Sequence, residues 1–532
     1  LTAFSLPQRL TQGLQRPRVS LAMGVTVFAA VLVANAWTGD DPWITMRTVD
    51  NFVHGYGLTW NTYERVQGYT HPLWMLLLST LYAIFGEGYF TTLALCFACS
   101  LGILFVASRA WQADRAKLLA LVAILVSSKS FVDYSTSGLE NPLTHLLAAA
   151  FFLTLFAKTV AGAEVSERWL CQMVLLASFG YVNRADTVLL YGPSLLWLFV
   201  RAWKVLGPKS LRACAVGALP AVGWMGFSII YYGFPFPNTA YAKLAGGHYH
   251  APLFHSNGIA YFENSLLWDP VTLSVVAIAL LGGTFLAWRH RRFDVLLGLV
   301  GVAALLFYAM RIGGDYMSGR LFALPYLMAA LVLVEVLHSN VRWGMAAAAF
   351  VIGLLGPRSP IVGRWEPKLA ERDKTAIIDD HSFHRPQNLN IILLHKSYKA
   401  GRARQFEEAS PAQSLVWGAI GYHGFAGGPH LRTIDNLALT DALLARLPAR
   451  APEQAWGRGH LFRDVPEGYV TSVETGENRI ADPSLHAYYD KLLILTTGPI
   501  FTAERMKTIW EMNTGRYSHL VEEYQQHLAS KK

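Results

Sequence analysis

From Val19 to Gly39 no residue carries a charge. A helix of that length crosses the roughly 30 Å hydrocarbon core of a bilayer, and a water-soluble fold has little use for such a run. Further apolar runs follow near 72–86, 90–107, 118–131, 142–160, 169–182, 187–203, 211–231, 270–288, 293–310, 320–338 and 342–356. Together they predict a mainly α, polytopic membrane helix bundle of eleven or twelve spans over residues 1–356. Composition agrees: 15% of residues are charged, where soluble domains carry about 25%, and mean hydropathy is +0.30. The stretch after Arg9, Arg16 and Arg18 begins like a signal peptide but lacks a small-residue cleavage site, so it is expected to stay as an anchor.

Beyond Pro357 the chain turns polar. Residues 357–532 are expected to form an α/β domain outside the membrane, with strands at Ser414–Ile420 and Leu431–Asp435 and a capped helix at Asp441–Leu447. Basic residues set the orientation. Arg201, Lys204, Lys209 and Arg212 fill one short loop and Arg289, Arg291 and Arg292 another, which places these loops and the N-terminus in the cytoplasm. The loops at 183–186, 232–268 and 311–319 and the polar tail then lie outside, with Asp40 and Asp41. Three runs between Asp40 and the outer loop 135–141 break this alternation. The short run between Lys117 and Lys129 is therefore expected to be re-entrant or half-buried.

A net charge of +9 shows no aromatic-interleaved basic stripe, so anionic lipid rather than nucleic acid is the expected partner. Cys96, Cys99, Cys171 and Cys214 all fall in apolar runs, which indicates small core residues and no disulfide or zinc site.

Asp40 and Asp41 stand where the first apolar run ends. Pro42 follows, and Trp43, Met46, Val49 and Val53 recur at helical spacing, which predicts an amphipathic interfacial helix ending near Gly55. Two carboxylates beside a membrane suit catalysis on a lipid-linked substrate; the competing reading is an Asp41 helix cap with Asp40 solvated. More polar residues gather on the same side. Glu64, Arg65 and His71 precede the next span, Glu140 stands before Pro142, Arg184 and Asp186 lie between two apolar helices, and Arg311, Asp315 and Arg320 bracket Gly313-Gly314. Each group alone reads as a structural ion pair; their recurrence on one face points to a shared polar cavity. Tyr231-Tyr-Gly-Phe-Pro-Phe-Pro-Asn-Thr-Ala-Tyr-Ala-Lys243 sets rings beside a cation, as an interfacial aromatic belt or a surface for a prenyl phosphate and its sugar would.

Gly39-Asp-Asp-Pro-Trp-Ile-Thr-Met-Arg47, the Glu64-Arg65 segment, Ser137-Gly-Leu-Glu140, Arg184-Ala-Asp186, the Tyr231–Lys243 segment, Gly313-Gly-Asp-Tyr-Met-Ser-Gly-Arg320 and Thr433-Ile-Asp-Asn-Leu-Ala-Leu-Thr-Asp-Ala-Leu-Leu-Ala-Arg446 resemble the C-type (GT-C) glycosyltransferases. The likeness is in particular to the terminal arabinofuranosyltransferases of the mycobacterial cell wall and related bacterial arabinosyltransferases. It implies transfer of a sugar, arabinofuranose, from a polyprenyl phosphate to an extracytoplasmic glycan or pilin-like protein, at the outer face of a bacterial inner membrane. It implies an acidic residue of the first outer loop, Asp40 or Asp41, at the reaction centre. Asp41-Pro-Trp with Arg47 also resembles oligosaccharyltransferases, which use a metal; polyprenyl monophosphate enzymes generally do not, and no cofactor is expected here.

The chemistry asks for a base on the acceptor hydroxyl and cations on the departing phosphate. Asp40 or Asp41 can be the first, and Arg184, Lys243, Arg311 or Arg320 the second; with retention of configuration one Asp would instead act as a nucleophile. Two other classes fit parts of the pattern. A lipid-linked sugar flippase would show pseudo-symmetric halves, and a phosphoethanolamine transferase would need a metal cluster, whereas His381, His384, His423 and His460 have no metal-ligand spacing.

Overall fold

Local signals start and stop the helices where the apolar runs begin and end. Pro72 opens the helix Pro72–Phe85 and Gly86, at a φ of 64°, closes it. The side chains of Asp114, Ser128 and Ser166 each accept a backbone N–H at the start of the helix that follows. The computed structural model describes residues 17–244, 251–363, 377–384, 414–450 and 461–530. Arg9, Arg16 and His460 lie outside these residues.

Among the described residues, five helices are long and apolar enough to cross a membrane: Tyr89–Ala110, Asn141–Val160, Ala185–Leu206, Pro270–Arg289 and Phe293–Arg311. The pair Lys209–Gly217 and Leu219–Tyr232, bent by 53°, passes the same test together, as a broken span or a re-entrant loop. This is about half the number expected. The other apolar runs fold as shorter helices, including Leu21–Ala34, Pro72–Phe85 and Ser339–Leu355. The run expected to be re-entrant divides into the helices Arg115–Leu125 and Lys129–Asp133, and the first of these packs on Pro17–Ala34 and Ser339–Leu355.

At the bundle centre the helix Ala323–Val336 is buried on every side from Ala323 to Val334. Outer helices keep an apolar stripe exposed, as at Phe293, Val300 and Phe307, seven residues apart on one face. Exposed aliphatic and aromatic side chains repeating along one face are what a lipid-facing helix presents.

The segment 232–268 is not an open loop. It contains the helices Asn238–Leu244 and Ala251–Trp268, the second packed on Phe293–Arg311. The helix Asp41–Val53 forms where the amphipathic pattern places it, but it does not lie with a polar face to water. Thr45, Arg47, Thr48 and Asn51 are buried with the apolar side, because the tail helix Ile420–Gly427 packs across it. Arg47 stacks on Trp60, 4.0 Å from the ring centroid, and donates to the Leu431 carbonyl at 2.7 Å.

The two expected strands are shorter than their apolar runs. Leu415–Trp417 pairs in parallel with Thr433–Asp435, in the register Leu415 to Thr433 and Trp417 to Asp435. Helix Ile420–Gly427 takes the end of the first run. The helix expected at Asp441–Leu447 is reduced to the single 3-10 turn Leu444–Arg446, with the Asp441 carboxylate accepting the Leu444 N–H at 2.8 Å. The tail core is built jointly with the bundle: Val66, Phe234 and Ala242 pack among Ile434, Leu443, Leu485, Leu492 and Ile509.

Candidate functional site

A cavity of about 750 Å³ opens where the end of the first helix, two inter-helix loops and the tail meet. Asp40, Asp41, His71, Lys243, Asp315 and Arg320 line it, so six of the candidates read from sequence share one space. The tail contributes Asp380, His384, Trp417, Tyr422, Asn436 and Phe462.

The two neighbouring aspartates do different things. Asp40 uses both carboxylate oxygens to accept the N–H groups of Gly421, at 2.9 Å, and Tyr422, at 2.8 Å. It thereby satisfies the first turn of Ile420–Gly427, whose positive dipole end favours a carboxylate. The fit is close: a Cβ on Gly421 would stand 1.9 Å from the Asp40 carbonyl oxygen. Asp41 opens its own helix, yet among the described residues its carboxylate accepts no hydrogen bond and faces the cavity. Neither half of the cap-and-solvated-neighbour reading holds. Burial raises the Asp41 carboxyl from 3.8 to about 7; Arg320 opposes this, while Asp380, Asp40 and Asp315 add to it.

Behind the cavity wall Glu140 joins two guanidinium groups and an imidazole. Its Oε1 lies 3.3 Å from Arg320 and 3.7 Å from Arg184, and its Oε2 lies 3.3 Å from Nδ1 of His71. Burial alone would raise the Glu140 carboxyl, but Arg320, His71 and Arg184 together hold it down at about 2. Arg184 is gripped in fork geometry by Asp186, with Nε to Oδ1 and Nη2 to Oδ2 both at 2.9 Å. Arg320 also pairs with Asp315 at 3.5 Å. Burial would lower the Arg320 pKa, and Glu140, Asp315 and Asp41 more than reverse it, so the guanidinium stays charged. His71 bonds Thr45 through Nε2 at 2.7 Å, and burial, outweighing the pull of Glu140, lowers its pKa.

Arg184, Asp186 and Glu140 therefore support the site from behind rather than face it. Two candidates fall elsewhere. Arg65 donates to the Leu495 and Gly498 carbonyls and so ties the loop before Pro72–Phe85 to the tail. Arg311, at the exposed end of its helix, lines no part of the cavity.

Sequence reasoning missed Asp380 and His384. A Cβ on Gly39 would meet Asp380 Oδ2 at 2.9 Å, so the Asp380 carboxylate sits directly over the backbone leading into Asp40-Asp41. His384 lies 3.5 Å from Asp380 and stacks on Trp37 at 6.1 Å between ring centroids. Burial would lower the His384 pKa; Asp380, Asp40 and Asp41 raise it instead. The i,i+4 spacing of Asp380 and His384 was the available signal. Their segment is fixed by backbone bonds, Ser318 N–H to the Ile378 carbonyl at 2.9 Å and Ile378 N–H to the Tyr316 carbonyl at 2.8 Å. It is also fixed by a buried cluster in which Asp379 meets Lys129 at 3.0 Å and Arg358 at 2.5 Å. Among the described residues no group of three or more His, Cys, Asp or Glu side chains is arranged to hold a metal ion.

No protein-family model matches the chain. A terminal β-(1→2)-arabinofuranosyltransferase of Corynebacterium glutamicum is 27% identical over 392 residues, covering 64% of this chain and 54% of that protein. The enzyme of the same name from Mycobacterium tuberculosis is 28% identical over 370 residues, covering 60% and 56%. Among solved structures, ArnT from Cupriavidus metallidurans, crystallised with undecaprenyl phosphate, overlays with a TM-score of 0.49 at 15% identity, over 78% of this chain and 85% of that one. In sequence, then, the chain is similar to the terminal β-(1→2)-arabinofuranosyltransferases, and it spans about half the length of these curated relatives.

Proposed function

We propose that the chain is a membrane glycosyltransferase that moves arabinofuranose from a polyprenyl phosphate to a hydroxyl of a glycan or protein acceptor, on the extracytoplasmic face of a bacterial inner membrane. The observation that carries the reading is Asp41: a carboxylate with a pKa near 7, facing a large cavity beside Arg320. A base is most useful when its pKa lies near the working pH, and an Asp that accepts no hydrogen bond among the described residues is placed to take a proton from substrate. The similarity to arabinofuranosyltransferases supports the choice of sugar.

In this reading the acceptor oxygen bonds to the anomeric carbon, and the bond from that carbon to the phosphate oxygen breaks. The electron pair leaves on the polyprenyl phosphate, and the acceptor proton goes to Asp41. Arg320 and Lys243 are the cations that line the cavity together with the half-buried Asp41, and they balance the departing phosphate. Glu140, held by Arg184 and His71, keeps the Arg320 guanidinium aimed. The tail wall, with the exposed ring of Trp417 beside Asn436 and Phe462, receives the acceptor.

The test is the full chain in nanodiscs with a synthetic polyprenyl phosphoarabinofuranose and an oligosaccharide acceptor. Mass spectrometry should find free polyprenyl phosphate and glycosylated acceptor in equal amounts. A flippase would carry the donor across a bilayer intact, and that result would overturn the reading.

A further inference from the structure

The proposed transfer leaves His384 idle, although its ring is held in the wall of the same cavity. His384 is 8% exposed. It stacks on Trp37 at 6.1 Å between ring centroids and meets Tyr422 edge to face at 6.4 Å. It also lies against the backbone at Gly39, where a Cβ would stand 3.3 Å from Nε2. Nε2 faces Asp380 Oδ1 at 3.5 Å, and Nδ1 is buried with no hydrogen-bond partner among the described residues. A buried imidazole nitrogen without a partner is costly, and a ligand filling the cavity can supply one.

The charges around the ring point to an anion that gains charge. Among the described residues the cavity wall carries four carboxylates, of Asp40, Asp41, Asp315 and Asp380, and two side chains cationic at any working pH, Lys243 and Arg320. Arg320 is already shared between Glu140 and Asp315. A polyprenyl phosphate that carries a sugar is a diester with one negative charge. Without the sugar it is a monoester whose second ionisation lies at a pH of about 6, so a second charge appears at the transfer step. The wall has more carboxylates than permanent cations to meet it. Burial would lower the His384 pKa, but Asp380 on the same helix and Asp40 and Asp41 at the neighbouring helix start raise it above the ordinary 6.5. Tyr422 faces the ring from the tail helix, and His381 packs on the same Trp37 ring at 5.5 Å.

Resting on the assigned reaction, we propose that the His384 imidazolium is a further catalytic residue, which meets the departing phosphate and gives it the proton that keeps it a monoanion. The acceptor oxygen bonds to the anomeric carbon, and its proton passes to Asp41. The bond from that carbon to the phosphate oxygen breaks, the electron pair stays on the oxygen, and an imidazolium N–H protonates the phosphate. Polyprenyl hydrogen phosphate leaves, with Asp41 protonated and His384 neutral. Proton exchange with water returns both to their starting states. Asp380 is a positioning residue here, since it faces Nε2 and favours the charged ring.

The experiment measures kcat against pH, from about 5 to about 9.5, for the full chain in nanodiscs with polyprenyl phosphoarabinofuranose as donor. The parent should give a bell, rising as Asp41 ionises and falling at higher pH as His384 loses its proton. His384→Gln should lose about 10- to 10²-fold at neutral pH and abolish the falling limb alone, and Asp380→Asn should move that limb to lower pH. With a phosphorothioate donor, whose leaving group is more acidic, the His384→Gln loss should shrink to about threefold or less. A His384→Gln protein with the parent rate overturns the proposal. So does one slowed equally for both donors with its falling limb intact, because that marks a structural role. Where His384→Gln does not fold, a falling limb unmoved in Asp380→Asn overturns it instead. A parent that transfers sugar without any falling limb sinks this proposal alone; a parent that transfers none at any pH sinks the assigned reaction and this proposal with it.

Discussion

At the scale of single residues, the division of labour between Asp40 and Asp41 makes them separable by mutation. Asp41→Asn keeps the shape of the side chain and removes the proposed base, so turnover should fall by about 10²-fold or more with donor binding retained. If Asp41 is the proposed base, it works when ionised, so kcat should rise with pH through about 7; a rate independent of pH from 5 to 9 would remove Asp41 from that role. The same carboxyl has a stability signature of known sign. The fold raises its pKa from 3.8 to about 7, so protonation favours the folded state. That contribution is complete below pH 3.8 and is lost as the pH rises through 7. Asp41→Asn should therefore melt about 2–4 °C higher than the parent at pH 8, trading stability gained for activity lost. Glu140 has the opposite sign. Its carboxyl is depressed from 4.5 to about 2, so its contribution is present above pH 4.5 and lost as the pH falls toward 2. Glu140→Gln leaves Arg320, Arg184 and His71 without their shared anion and should cost about 3–5 kcal/mol, visible as a drop in melting temperature at neutral pH.

Among elements, the contact between the helix start at Asp40-Asp41 and the tail helix Ile420–Gly427 governs the site. Gly421 has a helical backbone and needs no unusual φ; it is glycine because anything larger would strike the Asp40 carbonyl. Gly421→Ala should push the tail helix away, strip Asp40 of two hydrogen bonds and reduce transfer at least about tenfold, while the spans remain folded by circular dichroism. Unchanged kinetics in a folded Gly421→Ala protein would show that this contact does not shape the cavity. How legible such features are in sequence depends on what carries them. Helices were readable because apolar periodicity records burial locally, and Asp41, His71, Asp315 and Arg320 were readable because they interrupt or border those runs. The number of spans was not, since an apolar run reports burial in protein and burial in lipid alike. Ala323–Val336 is apolar all round and sits wholly within the bundle. Asp380 and His384 reach the site through Met317–Ile378 pairing and the Lys129–Asp379–Arg358 cluster, which are contacts far apart in sequence that leave no periodic trace. Arg65 and Arg311 were overread for the converse reason: a cation at the end of a span looks the same in sequence whether it meets a cavity, a carbonyl or water.

For the whole molecule, the question is whether bundle and tail are separable, as the change of composition at Pro357 implies. The packing argues that they are not. Bundle side chains Val66, Phe234 and Ala242 belong to the tail core, Arg505 donates to the Ile230 carbonyl of the bundle, and Asn35 donates to the Pro360 carbonyl at 2.9 Å. A chain ending at residue 356 loses Asp380 and His384 above Asp40-Asp41, the Gly421 and Tyr422 N–H groups that hold the Asp40 carboxylate, and the Trp417 wall. It also opens Arg47, Thr48 and Asn51 to water, undoing the burial that fixes the helix below the cavity. Such a truncation should lose donor hydrolysis as well as transfer, by about 10²-fold or more, even when proteolysis and circular dichroism show the spans intact. Trp417→Ala in the full chain should separate the two contributions. Removing only the ring should raise KM for the acceptor and leave donor hydrolysis in its absence unchanged, since Asp41, Arg320 and Lys243 stay in place. If the truncated chain still hydrolyses donor at the parent rate, the bundle alone is the catalyst and the tail acts only on the acceptor. If Trp417→Ala alters donor hydrolysis and acceptor KM together, donor and acceptor share one cavity wall.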